Sequence, residues 1–96
     1  MRRANRVDGN HSIIIDTFRK MGCSVWDTSR MGEGGPDCVV ARWQKTICVE
    51  IKDGNLSPSR RALTPEEIRF RREWKGIYVI VESVDDALMT VKVHLS

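Results

Sequence analysis

Apolar residues along this chain recur at helical spacing in some stretches and alternate or run together in others, and the switches between these patterns mark its elements. From Asn10 to Met21 the residues Ile14, Thr17, Phe18 and Met21 recur at helical spacing, and Gly22 follows where a left-handed stop ends a helix. Ser24-Val25-Trp26-Asp27 is short, partly β-branched and aromatic, which predicts a short strand. The turn-rich stretch from Thr28 to Gly35, with Gly32, Gly34 and Gly35, reads as a pliable loop. Two strand-like segments follow, Asp37 to Arg42 and Thr46 to Lys52, separated only by Trp43-Gln44-Lys45, and so short a separation predicts an antiparallel hairpin.

Beyond Lys52 the segment from Asp53 to Arg61 has no apolar period and is expected to be an exposed basic loop. Thr64 then supplies an N-cap, Pro65 the first helical position and Glu67 the third position of a capping box, with Leu63 and Ile68 placed for a hydrophobic staple. This helix is expected to reach Lys75, with Phe70 and Trp74 one turn apart on its inner face and Gly76 as its stop. Ile77 to Val81 is a continuous apolar run, as in a strand buried on both faces. Ser83 and Asp86 start a last helix carrying Ala87, Leu88 and Val91, whereas residues 91–96 alternate like a strand, so two readings of the tail stay open. The strand-helix-strand crossover through residues 65–75 requires a parallel pair. The order αβββαβα thus defines an α/β fold with a mixed central sheet flanked by helices.

Ninety-six residues allow one compact domain, 1–96, with residues 1–8 as a loose basic arm. Hydrophobic residues make up 41% and charged residues 30%, which excludes a disordered or fibrous chain. No apolar run spans a bilayer and the polar start has no apolar segment behind it, so the expected setting is cytoplasmic with no membrane partner. Cys23, Cys38 and Cys48 lack the CxxC spacing of structural zinc and read as reduced thiols. The formal charge is +3 and the isoelectric point about 9.0. Positive charge gathers at Arg2-Arg3-Arg6, Arg19-Lys20, Arg60-Arg61 and Arg69-Arg71-Arg72, so several segments are placed to meet phosphates, although any one cluster also reads as solvated surface.

The period of two puts Glu50 and Lys52 on one face of their strand and Ile51 on the other. With the hairpin turning about Gln44, paired positions sum to about 88 and Asp37 falls opposite Ile51, at the same end of the sheet. Two carboxylates and an amine therefore converge. Close carboxylates repel unless a cation joins them, and oxygen ligands suit a hard ion such as Mg2+ or Mn2+. Such a site fits phosphodiester hydrolysis, with Lys52 orienting a water or supporting developing negative charge. A solvated Glu-x-Lys ion pair is the simpler reading of those two residues alone. His11 on the first helix is a further candidate, against a surface or capping histidine. Glu67 is explained by the capping box alone. Arg60 and Arg61 are candidates for the DNA backbone, and Trp43 at the hairpin tip for DNA or a second subunit.

Gly35-Pro36-Asp37, the hairpin and Val49-Glu50-Ile51-Lys52 resemble the PD-(D/E)XK nuclease signature in its PD…EXK form. Leu63-Thr64-Pro65-Glu66-Glu67, Phe70, Trp74-Lys75-Gly76, Val84-Asp85-Asp86-Ala87-Leu88 and, at the front, Asp8-Gly9-Asn10-His11 resemble the small stand-alone VRR-NUC domains of bacteria and phages. The resemblance implies a restriction-endonuclease-like core, with Asp37, Glu50 and the main-chain carbonyl of Ile51 as metal ligands and Lys52 in catalysis. It also implies a Mg2+-dependent endonuclease that acts, as a homodimer, on branched DNA in the manner of a Holliday-junction resolvase. Members usually carry an acidic residue on the first helix facing the site; that position holds Ile13 here, and Asp16 lies one turn on, which puts a second metal ion in question. Arg2 and Arg3 join Arg60 and Arg61 as expected DNA contacts. Two other readings stay open: a non-catalytic nuclease-fold module that holds DNA or a protein, and a nuclease subunit of a larger assembly.

Overall fold

In a computed structural model, which describes residues 9–96, the chain forms α1 (His11–Lys20), β1 (Ser24–Asp27), β2 (Cys38–Arg42), β3 (Lys45–Ile51), α2 (Pro65–Glu73), β4 (Tyr78–Val81) and α3 (Val84–His94). The expected basic arm, with Arg2 and Arg3, lies outside the described residues. The four strands form one sheet in the order β1-β2-β3-β4. The pairs β1/β2 and β2/β3 are antiparallel and β3/β4 is parallel, as the crossover through α2 demands.

Strand alternation divides the sheet into two unlike faces. Cys38 and Val40 of β2, Ile47, Val49 and Ile51 of β3 and Val81 of β4 are buried on the inner face. Against them pack Ile14, Ile15 and Phe18 of α1, Ala87 and Val91 of α3, and Leu95. Each of the large side chains removed from water here contributes roughly 1.5–3 kcal/mol of transfer free energy. The other face carries Trp26, Val39, Cys48, Glu50, Tyr78 and Ile80 by the same alternation. Among the described helices α2 approaches it, with Phe70 stacked on Trp74 at 5.5 Å and tilted against Tyr78 at 6.0 Å. No residue of α2 is buried. Among the described residues no helix is long and apolar enough to cross a membrane.

The structure departs from the sequence expectations at three places and decides between the two open readings of the tail. The β2/β3 hairpin closes through two residues, Trp43 and Gln44, because Arg42 pairs with Lys45 and Cys38 with Val49. Both turn residues have positive φ, 55° and 64°, the left-handed turn that suits strand twist. The register is therefore one residue tighter than expected and brings Asp37 opposite Glu50 rather than Ile51. The second helix ends at Glu73 instead of Lys75, since Trp74 is already extended (φ −74°, ψ 127°), and Trp74 is 45% exposed rather than in an inner face. β4 is only half-buried over most of its length because it is an edge strand. The tail is helical through His94: Val91 and Leu95 enter the core one turn apart while Val93 stays exposed.

Candidate active site

The site is built at the end of the sheet where β2 begins and β3 finishes. Asp37 precedes β2, and its backbone N–H donates to Val49 O at 2.9 Å. Its carboxylate turns onto β3, where Oδ2 accepts the N–H of Ile51 at 2.7 Å. Glu50 and Lys52 share the outer face, as period-two spacing requires, yet neither is solvated: Glu50 is 2% exposed and Lys52 9%. The surface ion pair is thereby excluded. Lys52 Nζ lies 2.8 Å from Glu67 Oε1 and 3.6 Å from Glu50 Oε2.

Electrostatics at this cluster are dominated by burial. Loss of solvent, and next the charge of Asp37, push the Glu50 carboxyl up to about 10. Burial also raises Asp37, against the opposing pull of the Ile51 N–H. Lys52 does not reverse this, because its closer partner is Glu67. In Glu67 burial opposes ionisation, but hydrogen bonds from Lys52 and the Thr64 backbone outweigh it and hold the carboxyl below its usual range. Glu50 Oε1 is buried with no hydrogen-bond partner among the described residues. A half-buried carboxylate, Asp37, close to a fully buried one, Glu50, which has an orphaned oxygen, forms the donor set that a hard divalent cation satisfies, so the residues present fit Mg2+ or Mn2+. Among the described residues, no three His, Cys, Asp or Glu side chains form a ready metal cluster, which leaves the pair, with main-chain oxygen or solvent, to complete any coordination. At Ile51 the contact seen is its N–H to Asp37, while the carbonyl was the atom expected as a ligand.

Glu67 is the residue that sequence reasoning missed. Its capping box with Thr64 is present, with Thr64 N to Glu67 Oε1 at 2.9 Å and Glu67 N to Thr64 Oγ1 at 3.2 Å, and that local role concealed its reach to Lys52. Asn10 was missed as well. Its Nδ2 donates to the carbonyls of Lys52 and Glu82, both at 3.1 Å, and so ties the start of α1 to the ends of the parallel strands β3 and β4. A polar residue before a helix usually signals capping, but Asn10 makes no side-chain cap bond.

Of the remaining candidates, His11 lies near enough to the site for its charge to act on Asp37, and the others fall elsewhere. His11 is neither on the surface nor at the cap: it is 7% exposed, and its Nε2 lies 3.2 Å from Asp27 Oδ2. Asp16 and Ile13 are exposed on α1, Ile13 by 55%. Arg61 is committed to Glu82 at 2.9 Å and pins the loop after Lys52 to the end of β4, whereas Arg60 is exposed. Trp43 is 68% exposed with the Arg42 guanidinium 5.0 Å from its ring centre, at the opposite end of β2 and β3 from the carboxylates. All three cysteines are free and buried. Burial above all pushes the Cys38 thiol up to about 12, which rules out a thiolate nucleophile there.

A four-stranded mixed sheet in this order, flanked by three helices in the chain order αβββαβα, has the restriction-endonuclease-like fold. A solved structure titled "VRR_NUC domain" shares the fold, with a TM-score of 0.58 and 22% identity over 90% of this chain and 98% of that chain. No protein-family model and no curated protein matches the sequence.

Proposed function

We propose that the domain is a divalent-metal-dependent endonuclease that hydrolyses phosphodiester bonds in DNA. The observation that carries this reading is the close pair of half-buried Asp37 and buried Glu50, the latter with its orphaned Oε1, set beside Lys52 on the sheet face that α2 borders. Asp37 and Glu50, with the main-chain carbonyl of Ile51, would hold Mg2+ or Mn2+, which when bound supplies Lewis acidity toward a phosphate oxygen. Lys52, a compact cation fixed by Glu67, supports the negative charge that develops on the phosphoryl oxygens and orients the attacking water. The fold around Glu50 excludes water from the carboxylates and strengthens these interactions. Arg60, Arg69 and Arg72 are exposed on the loop and helix flanking the site and are proposed to hold the backbone.

The resemblance supports branched DNA as the substrate and a second copy of this chain as partner, since a four-way junction offers two strands for symmetric cutting. Cleavage of a synthetic four-way junction, a duplex and a single strand with Mg2+ or Mn2+ tests the reading. Wild type should cut the junction, while Asp37→Asn and Lys52→Ala should lose at least about 100-fold in rate and still bind. Binding without cutting by wild type would point to a non-catalytic module instead. Sedimentation of the free and junction-bound protein decides the dimer.

A further inference from the structure

We propose that Glu67 is a positioning residue for the metal site that acts through Lys52, drawing the ammonium off Glu50 so that this carboxylate stays available to a divalent cation. The proposal rests on the metal-site reading above and deepens it.

An ammonium and a divalent cation seek the same acceptor oxygens, and at such close quarters the nearer pairing prevails. Lys52 Nζ stands 2.8 Å from Glu67 Oε1 but 3.6 Å from Glu50 Oε2, beyond hydrogen-bond length. The acceptor on Glu67 does not wander. Its Oε1 also receives the Thr64 N–H at 2.9 Å, and the reciprocal bond from Glu67 N to Thr64 Oγ1 locks the first turn of α2. The carboxylate that holds Lys52 is thus anchored to backbone rather than presented on a free side chain. The pairing is shielded as well, with the Lys52 and Glu67 side chains only 11% and 16% exposed, so water screens it far less than a surface pair. Glu50 Oε1, in contrast, is left with no donor. With glutamine at position 67, Lys52 loses its nearer acceptor and settles on the Glu50 oxygens that the cation needs.

Mn2+ binding measured by calorimetry on wild type, Glu67→Gln, Lys52→Met and the double variant tests this without reference to cutting. Glutamine keeps an oxygen for the Thr64 N–H, and melting temperatures report whether α2 is still capped. The expected result is a loss of about tenfold in Mn2+ affinity for Glu67→Gln when Lys52 is present and of less than about twofold when it is methionine. Glu67→Asp, too short to reach both Thr64 and Lys52, should show the same dependence and provides a second arm. Equal losses in both backgrounds mean that the Glu67 charge acts directly through space, and no loss means that it does not act; either outcome overturns the proposal. Glu50→Gln separates the two levels: if it binds Mn2+ as well as wild type, the metal-site reading falls and the role of Glu67 with it.

Discussion

At neutral pH a carboxyl group whose pKa is pushed up to about 10 keeps its proton, and Glu50 does so because it is shut away from water next to Asp37. Its ordinary value is 4.5. Between those limits the folded, metal-free protein holds a proton that the unfolded chain releases, so the stability linked to Glu50 is complete below about pH 4.5 and is lost as pH rises toward 10. Glu50→Gln removes that dependence. The metal-free variant should melt higher than wild type at pH 8, by roughly 4–8 °C for each kcal/mol recovered, with a flatter profile between pH 6 and 9. A wild-type profile that does not fall with pH over this range would contradict the assignment. At this scale Asp37, Glu50 and Lys52 were legible because a period-two strand and a short hairpin leave few ways to place them. Glu67 was not, since a capping box accounted fully for it; His11 was a candidate, but its partner, Asp27, is brought close only by tertiary packing.

Helix α2 shows how an element can be readable at one end and opaque at the other. Its start follows from Thr64, Pro65 and Glu67, and all three act as expected. Its end depends on Trp74 lying over Phe70 at the margin of the sheet, a packing choice that no local signal records. The hairpin turn was placed a residue off for a related reason: Trp43 and Gln44 carry none of the Asn-Gly character that normally announces positive φ at both central positions. What holds α2 near the site, besides Glu67 and the aromatic stack, is the loop before Asp37. Gly34 has φ +76°, and a Cβ built there would meet Glu66 O at 2.5 Å. Gly34→Ala should therefore push the first turn of α2 away, lower stability by about 1–3 kcal/mol and weaken the hold of Glu67 on Lys52. Denaturant unfolding and the Mn2+ affinity measure the two effects; an unchanged midpoint would show that the loop yields instead.

Over the molecule as a whole, the division into a covered and an uncovered sheet face was only half legible. Burial alternates along β2, but β3 is buried on both faces from Ile47 to Ile51, because Cys48 and Glu50 are covered as well. The run Ile77 to Val81 suggested cover on both faces, because an apolar sequence does not disclose that its strand will stand at an edge. The sheet face that α2 borders carries the site, and the basic residues of the loop and of α2 flank it. DNA affinity should accordingly fall about a hundredfold between 50 and 200 mM salt if some four phosphates are contacted. Fluorescence anisotropy against salt reads that slope, and a flat response would point to protein rather than nucleic acid as the partner.

The absence of any buried residue in α2 has one more consequence. The core formed by α1, α3 and the inner sheet face does not draw on this segment, so its length and outward-facing residues can drift through evolution with little penalty to folding. Under the proposed function, a preference for one DNA shape over another would then be rewritten in α2 while the carboxylates beside it stay as they are.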